Sequence, residues 1–297
     1  MKQPEFLKEG DTILLIATAR ARDKKQIQPA VKLLQSWGLK VIEGKNLYKK
    51  HHQFAGTDEE RIEDLQWAIN HPKAKAVLVA GGGYGTVRLI DKVDFSALKK
   101  NPKWFAGYSD VTVLHSKLLS EKINCIHSTL AFQLADDAKG AESLKKILFG
   151  QIDDITIKPN KLNQTGTTEG KIIGGNLSIL YSLSGSPDDV NTKNKILFIE
   201  DIDEQLYHID RMMMQLKRSG KLDKLKGVIV GGMTDMKDNA VPFGKTAEEI
   251  IRDVLDEFEY PICFDFPAGH IKNNQAFILG KKIKMDVSEK QVIINYL

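Results

Sequence analysis

A serine at a predicted strand-to-helix corner is the first candidate for chemistry in this sequence. Residues 104–112 run from an apolar segment through a tight turn into a predicted helix, with Ser109 at the corner. Such a turn lifts the hydroxyl clear of the backbone, and the amide of Asp110 then points from a helix N-terminus at an oxyanion on the substrate. The pattern is incomplete, because Val111 replaces the second glycine of G-x-S-x-G. Capping of the helix by Ser109 or Asp110 accounts for the same residues without catalysis.

A glycine-rich turn offers a second set of backbone donors. Residues 80–86, Ala-Gly-Gly-Gly-Tyr-Gly-Thr, follow a predicted strand and lead into a predicted helix. The amides of such a turn can face an anion or a developing oxyanion, at the strand end where α/β sheets bind ligands. The run fits neither the dinucleotide pattern, because Thr86 stands at the place of the last glycine, nor a Walker loop. Close packing of a helix explains the glycines as well.

A nucleophilic serine needs a base, and His270 is the histidine in the most suggestive setting. It follows the predicted strand 262–266 in a loop, and loops after strands carry function. An orienting carboxylate can come from Glu200 or from Asp201, which both follow a predicted strand. A lone histidine or strand-end carboxylate is more often structural, so local sequence alone leaves both roles open.

The other histidines and the two cysteines point to no metal site. His51, His52 and His115 match no ligand spacing, so a catalytic metal is not expected. Cys125 and Cys263 lie far apart in apolar, strand-like runs. They are therefore predicted to be buried free thiols, which suits a reducing compartment.

Charge and hydropathy exclude several classes of partner. The formal net charge is +4, from 43 basic and 39 acidic residues that are interspersed along most of the chain, so no nucleic-acid partner is implied. Residues 1–11 carry charges before any apolar run, which does not fit a secretory signal, and a cytoplasmic location is expected. The apolar runs are far shorter than the roughly 20 residues of a membrane span, so no membrane association is expected.

The elements that must position these residues follow an α/β order. Short apolar runs alternate with amphipathic segments, which is typical of parallel strands joined by crossover helices. Predicted strands cover residues 13–17, 39–42, 76–80, 104–108, 123–126, 195–199, 228–230, 262–266 and 292–294. Helices are predicted around 27–37, after the capping box of Thr57 and Glu60, from Thr86, from Asp110, over 142–148, and from Asn176, Leu206 and Thr246.

A polar stretch divides the chain. Residues 151–168 are rich in Asn, Gln, Gly and Pro and show no helical periodicity. We expect a linker there, between an N-terminal domain of residues 1–150 and a C-terminal domain of residues 169–297.

Taken together, these segments resemble the LD-carboxypeptidase family of serine peptidases, which also contains the microcin C immunity peptidases. The resemblance covers nearly the whole chain. In the first half it rests on residues 55–61 (Ala-Gly-Thr-Asp-Glu-Glu-Arg), 82–85 (Gly-Gly-Tyr-Gly) and 107–112 (Gly-Tyr-Ser-Asp-Val-Thr). In the second half it rests on residues 174–177 (Gly-Gly-Asn-Leu), 198–201 (Phe-Ile-Glu-Asp), 209–211 (Ile-Asp-Arg) and 269–270 (Gly-His).

The resemblance implies an α/β fold: a flavodoxin-like parallel-sheet N-terminal domain plus a smaller α/β C-terminal domain, with the active site in the cleft between them. It implies that Ser109 is the nucleophile, that His270 is the general base and then acid, and that Glu200 orients the imidazole. The implied oxyanion hole consists of three backbone amides, those of Asp110, Gly82 and Gly83.

The implied reaction is hydrolysis of the L,D-peptide bond that releases terminal D-alanine from a murein tetrapeptide, in peptidoglycan recycling, by a homodimer that needs no cofactor. One alternative keeps the machinery and changes the substrate to a peptidyl or aminoacyl nucleotide, as in the microcin-immunity branch. Another is a non-catalytic protein that closes two lobes around a small ligand, since fold does not fix function.

Two departures from the family pattern bear on specificity. Gly81 stands where the family commonly has Arg before Gly-Gly-Tyr-Gly, and the first predicted strand ends in residues 17–19, Ala-Thr-Ala, instead of Pro-Ser. Neither position supplies a side chain of the implied triad, so the departures concern how substrate carboxylates are recognised.

Overall fold

The computed structural model describes residues 1–297, and contacts within the chain divide them into two units. The first unit comprises residues 1–151 and 273–279, and the second comprises residues 152–272 and 280–297. Each unit contains its own sheet.

The first unit is built on a six-stranded sheet in the order β2-β1-β3-β4-β5-β11. Its strands are β1 (Thr12–Ile16), β2 (Lys40–Glu43), β3 (Ala74–Val79), β4 (Trp104–Gly107), β5 (Cys125–His127) and β11 (Phe277–Leu279). The first five are parallel, and only β11 is antiparallel to its neighbour, β5. The order 2-1-3-4-5 is that of flavodoxin-like sheets, so the predicted fold class is confirmed.

Helices lie between these strands and after β5. They are α1 (Lys24–Ser36), α2 (Asp58–Asn70), α3 (Ala97–Lys100), α4 (Thr112–Ser120), α5 (Ala131–Leu134) and α6 (Ala138–Leu148). At the start of α2 the Thr57 hydroxyl accepts a hydrogen bond from the Glu60 amide, and the Glu60 carboxylate accepts one from the Thr57 amide. This reciprocal pair satisfies two amides that the helix itself cannot, so α2 begins where the capping box predicts.

The second unit contains a mixed seven-stranded sheet in the order β10-β9-β8-β7-β12-β13-β6. Its strands are β6 (Ile155–Ile157), β7 (Gly166–Asn176), β8 (Lys195–Ile202), β9 (Gly227–Thr234), β10 (Ile262–Cys263), β12 (Lys282–Val287) and β13 (Val292–Tyr296). Strands β7 to β10 are parallel, whereas β12, β13 and β6 form antiparallel pairs. The helices are α7 (Leu177–Ser182), α8 (Leu206–Arg218) and α9 (Ala247–Leu255).

The structure differs from the sequence-based division in two places. Residues 151–168 are not simply a linker, because they contain β6, which pairs with β13, and the start of β7. Residues 273–279 belong to the first unit, although they lie within the stretch predicted as the C-terminal domain. Both β6 and β11 are only three residues long, and so short an apolar run does not distinguish a strand from other buried segments in the sequence.

Two predicted elements are shorter or tighter than expected. The helix predicted from Thr86 consists of two 3₁₀ turns, Thr86–Arg88 and Ile90–Lys92. The strand predicted over 262–266 ends at Cys263, because Asp265 adopts a φ of 59°, which breaks an extended backbone.

Candidate active site

Ser109 lies at a sharp corner between β4 and α4. The strand ends at Gly107, a 3₁₀ turn spans Ser109–Val111, and α4 begins at Thr112. Ser109 itself has a φ of 64°, a left-handed conformation that costs a non-glycine residue about 1–3 kcal/mol and clusters at functional sites. The structure therefore gives Ser109 the strained strand-to-helix turn of a nucleophile elbow.

The glycine turn approaches Ser109 through Gly82. A Cβ placed on Gly82 would lie 3.0 Å from both Cβ and Oγ of Ser109, so only a residue without a side chain fits there comfortably. The amides of Gly82, Gly83 and Asp110 donate no hydrogen bond to another backbone group. These are the amides that the resemblance implies as the oxyanion hole, and an oxyanion hole requires donors that are not committed elsewhere.

The Asp110 side chain ties the glycine turn to the elbow. Asp110 is buried, and its Oδ2 accepts a hydrogen bond of 2.9 Å from the Thr86 amide. The Thr86 hydroxyl in turn donates to the Thr18 hydroxyl at 2.8 Å. Burial raises the pKa of Asp110, while the hydrogen bonds from Thr86 and Gly85 oppose that rise. Local sequence predicts an oxyanion-binding amide or a helix cap at Asp110, but it does not reveal this contact between the carboxylate and the glycine turn.

In the second unit, Glu200 and His270 form a hydrogen-bonded pair. The distance from His270 Nδ1 to Glu200 Oε2 is 2.7 Å, and the same oxygen accepts the His270 amide at 3.2 Å. The Glu200 side chain is fully buried, and the His270 side chain is 13% exposed. A carboxylate accepts, so Nδ1 carries the proton and Nε2 is the nitrogen that can accept one from a reacting group.

The pKa of His270 reflects two opposing effects. Burial lowers the pKa of this imidazole, but the charge and hydrogen bond of Glu200, together with the charge of Asp201, outweigh burial and raise it overall. An imidazole stabilised as imidazolium by a buried carboxylate is suited to take a proton from a hydroxyl and later return it.

Glycines let the His270 loop lie close to Glu200. Opposite Glu200, β9 carries an extra residue, because Ile199 pairs with Val230 while Asp201 pairs with Met233. Within this bulge a Cβ on Gly231 would lie 2.4 Å from the Ala268 carbonyl oxygen. Gly269 has a φ of 112°, and a Cβ there would lie 2.8 Å from Glu200 Oε2. Bulges re-aim side chains next to active sites, and here the bulge accommodates the loop that carries the histidine.

Asp201 faces a different set of partners from Glu200. Its Oδ1 accepts from the Asn176 side-chain amide at 2.8 Å, and its Oδ2 accepts from the Ser178 amide at 2.8 Å. Burial, followed by the charge of Glu200, raises the pKa of Asp201 to about 7. Of the two carboxylates that local sequence left open, the structure pairs Glu200, which the resemblance implies, with His270 and places Asp201 at the start of α7.

The predicted site residues thus fall into two groups. The first unit brings together Ser109, Asp110 and Gly82, with Gly83 next in the turn, and the second brings together Glu200 and His270.

No set of three or more His, Cys, Asp or Glu side chains is arranged to hold a metal ion. The structure contains no helix that is both long and apolar enough to cross a bilayer. Cys125 and Cys263 are buried free thiols.

Two arginines lie near the elbow, and no motif in the sequence identifies them. Arg20 and Arg22 follow β1, and their side chains lie against Gly83 and Gly81, respectively. The available signal was their position at the carboxyl end of a parallel strand, where α/β sheets bind ligands.

Comparison with known proteins gives the family. Residues 13–128 match the LD-carboxypeptidase N-terminal domain, and residues 169–285 match the LD-carboxypeptidase C-terminal domain. A probable murein peptide carboxypeptidase of Bacillus subtilis (strain 168) is 36% identical over an alignment of 303 positions that covers 98% of this chain and 94% of the relative. The microcin C7 self-immunity protein of Escherichia coli is 26% identical over 334 residues, covering 96% and 93% of the two chains.

A solved structure agrees with this result. The crystal structure of muramoyltetrapeptide carboxypeptidase from Oxalobacter formigenes superposes with a TM-score of 0.87 at 27% identity, covering 96% of this chain and 98% of the other. The domain matches span most of the sequence, and they include the Ser109 elbow in the first half and the Glu200–His270 pair in the second. The chain therefore belongs to the LD-carboxypeptidase family of serine peptidases.

Proposed function

We propose that this protein is a serine carboxypeptidase that hydrolyses the L,D-peptide bond before the terminal D-alanine of a murein tetrapeptide. The bond joins the L-centre of a diamino acid, diaminopimelate or lysine, to D-alanine, and its cleavage leaves a tripeptide for peptidoglycan recycling. The names of the relatives support this substrate: one is a probable murein peptide carboxypeptidase and another a muramoyltetrapeptide carboxypeptidase. The proposal includes a homodimer in the cytoplasm that works without a cofactor.

In the proposed mechanism, Ser109, His270 and Glu200 act as one catalytic set. Ser109 Oγ attacks the scissile carbonyl carbon while His270 Nε2 removes its proton, and Glu200 stabilises the imidazolium through Nδ1. The amides of Asp110, Gly82 and Gly83 stabilise the oxyanion of the tetrahedral intermediate. The imidazolium then protonates the leaving amine of D-alanine, and water activated by His270 hydrolyses the acyl-enzyme.

The observation that supports the proposal most strongly is the left-handed conformation of Ser109, with its side chain against Gly82. A serine that merely caps a helix adopts an extended backbone, which has no such strain. The φ of 64° at Ser109 is instead the conformation that projects a nucleophile from the corner of a strand and a helix. The Glu200–His270 hydrogen bond supports the same assignment, because a serine nucleophile requires an oriented base.

Mass spectrometry of a murein tetrapeptide incubated with wild-type protein and with Ser109→Ala tests the proposal. We expect the wild type to release D-alanine and the variant to lose about 10⁴- to 10⁶-fold in turnover while still binding the peptide. A wild-type rate that survives in Ser109→Ala contradicts the role of Ser109. Peptide binding without any D-alanine release by the wild type favours a non-catalytic binding protein instead.

The similarity to the microcin C7 self-immunity protein favours a second candidate, hydrolysis of a peptidyl or aminoacyl nucleotide. We rank it second because residues 165–174 are a short stretch with little room for an added nucleotide-binding loop, and nearly all of them lie in the strand β7. An aminoacyl sulfamoyl adenylate, assayed beside the tetrapeptide, separates the two candidates. Cleavage of this compound alone reverses the ranking.

A further inference from the structure

Each glycine of the turn 81–83 lies against a different side chain. A Cβ on Gly81 would lie 2.6 Å from Arg22 Nε, and a Cβ on Gly83 would lie 3.1 Å from Arg20 Cβ. Between them, Gly82 lies against Ser109, as described above. The bare backbone of this turn therefore carries two arginine side chains, one on either side of the glycine that contacts the serine.

The Arg22 side chain packs against an aromatic ring, but one of its nitrogen atoms has no hydrogen-bond partner. Its guanidinium carbon lies 3.8 Å from the centre of the Phe132 ring, so the group packs against the face of that ring. Its Nε is buried and has no hydrogen-bond partner. A buried donor without a partner costs free energy, and a ligand oxygen in its reach removes that cost.

The electrostatics of the pair favour an anion. Burial lowers the pKa of Arg22, the positive charge of Arg20 lowers it further, and Tyr108 opposes these effects. Arg20 is exposed, whereas Arg22 is only partly exposed. Two cations held around one turn repel each other. A carboxylate bound between them is attracted to both, and this attraction offsets the repulsion.

We propose that Arg22, assisted by Arg20, binds the C-terminal carboxylate of the peptide and so makes the enzyme an exopeptidase. This inference rests on the proposed function. The carboxylate that a carboxypeptidase must recognise lies one residue beyond the scissile carbonyl, and adjacent residues are about 3.8 Å apart between Cα atoms. Arg22 lies against Gly81, and Ser109 lies against the next residue, Gly82. The two side chains are therefore offset by one residue along the turn, which matches the one-residue offset in the substrate. The planar guanidinium fork matches a carboxylate with two parallel hydrogen bonds.

The absence of a side chain at Gly81 fits this assignment. The Arg22 side chain occupies the space that a side chain at position 81 would fill. The guanidinium then reaches the turn from the end of β1 rather than from the end of β3. The two positions should consequently be interchangeable, because either one delivers a guanidinium to the same place.

The test compares two substrates that differ only at the terminus: a tetrapeptide ending in free D-alanine and the same peptide ending in D-alanine amide. For the wild type we expect a clear preference for the free acid in kcat/KM. Arg22→Ala should lower kcat/KM for the acid by about 10- to 100-fold and leave the amide within about 3-fold, as expected for the loss of hydrogen bonds to a charged group. Lys25→Ala, which removes an exposed positive charge three residues further on, should leave the preference unchanged.

A rescue variant makes the test specific. Gly81 has no left-handed φ, so it can accept a side chain once Arg22 is truncated. The double variant Arg22→Ala/Gly81→Arg should regain the preference for the free acid. Equal losses on acid and amide in Arg22→Ala, or an unchanged preference, overturn the inference.

A binding measurement separates this inference from the proposed function. If the wild type releases no D-alanine, the proposed substrate fails on its own, whatever the arginine variants do. Calorimetry then measures binding of the two peptides to Ser109→Ala and to the double variant Ser109→Ala/Arg22→Ala. Tighter binding of the acid than of the amide that disappears with Arg22→Ala supports Arg22, whereas equal binding of both peptides contradicts it.

Discussion

At the scale of single residues, the protonation of one imidazole determines when the proposed reaction can start. His270 must be neutral to take a proton from Ser109, and the pair with Glu200 raises the pKa of His270 above its ordinary value. Activity should therefore rise with pH as His270 loses its proton, and the acid limb of the profile should lie at higher pH than for an unperturbed histidine.

Glu200→Gln should move that limb to lower pH. Without the carboxylate charge, burial dominates and lowers the pKa of His270, so the neutral form persists into more acidic solution. At neutral pH, kcat/KM should still fall by roughly 10²- to 10⁴-fold, because the imidazolium loses its partner. The pH dependence of kcat/KM measures both effects.

The chain offers a matched control for this change. Glu204 accepts a hydrogen bond from His208 Nδ1 at 2.6 Å, so Glu204→Gln breaks the same kind of pair elsewhere in the second unit. This variant should keep both the rate and the pH profile of the wild type. A shift of equal size in both variants contradicts the specific role of Glu200.

The candidate residues Ser109 and His270 could be predicted from motifs, and the family resemblance implies Glu200 rather than Asp201. Local sequence alone does not distinguish these two carboxylates, because both follow a predicted strand. Their side chains point to opposite faces of β8, as expected for neighbours in a strand, and only the fold shows which one meets His270. Arg22 went unnoticed because its importance comes from the absent side chain of Gly81, a relation between distant positions.

At the scale of elements, the loop after β10 depends on a glycine that has no conformational substitute. Gly269→Ala places a methyl group 2.8 Å from Glu200 Oε2 in a backbone conformation that L-residues avoid. Because His270 is the next residue, we expect kcat to fall by at least about 100-fold as the imidazole moves, a loss in keeping with the cost of a 1 Å misplacement. Turnover of the tetrapeptide measures this loss.

Gly244→Ala separates the backbone effect from the steric one. Gly244 also has a positive φ, 86°, but no atom lies within 4 Å of a Cβ placed there. This variant should lose about 1 kcal/mol of stability from the left-handed backbone and keep full activity. Thermal melting of both variants shows the stability cost, and an inactive Gly244→Ala argues against the steric explanation.

Elements with their own periodicity or caps were predictable. Helix α2 begins at its capping box, and α9 begins after Thr246, whose hydroxyl accepts from the Glu249 amide. The 3₁₀ turns after Gly85 and the short strands β6 and β11 were not, because their shape depends on partners far along the chain. Local sequence specifies an element only when local contacts stabilise it.

At the scale of the whole molecule, the sheet that carries Ser109 is completed by a late segment of the chain. Strand β11 pairs with β5 through Phe277, Ile278 and Leu279, which are almost fully buried. The Asn274 amide donates to Asp137 Oδ2, and the Ala276 amide donates to Ser143 Oγ. Residues 273–279 thus supply both an edge strand and hydrogen bonds to the first unit.

A fragment of residues 1–151 should therefore be less stable than the same fragment with residues 273–279 attached through a flexible Gly/Ser linker. Without β11, the edge of β5 and its apolar neighbours face solvent, which favours edge-to-edge association. We expect a lower melting temperature and more aggregation for the shorter fragment. The linked fragment with Phe277→Ala serves as the control, and equal melting temperatures for all three contradict the structural role of β11.

The fold class followed from sequence because it depends on the order of strands and helices, whereas this crossing of the segment 273–279 did not. Three apolar residues beyond a histidine loop give no indication of which sheet they join. That membership is decided by the unpaired edge of β5, a property of the assembled sheet.

The late arrival of β11 has a consequence for biosynthesis. Translation at roughly 5–20 residues per second leaves an interval on the order of ten seconds between the synthesis of residue 151 and that of residue 279. During this time the nascent polypeptide presents the open edge of β5, the strand next to β4, which leads to Ser109. A chain interrupted anywhere in that interval lacks the edge strand of the sheet that carries Ser109, so premature termination products of this gene are expected to be substrates for chaperones and proteases.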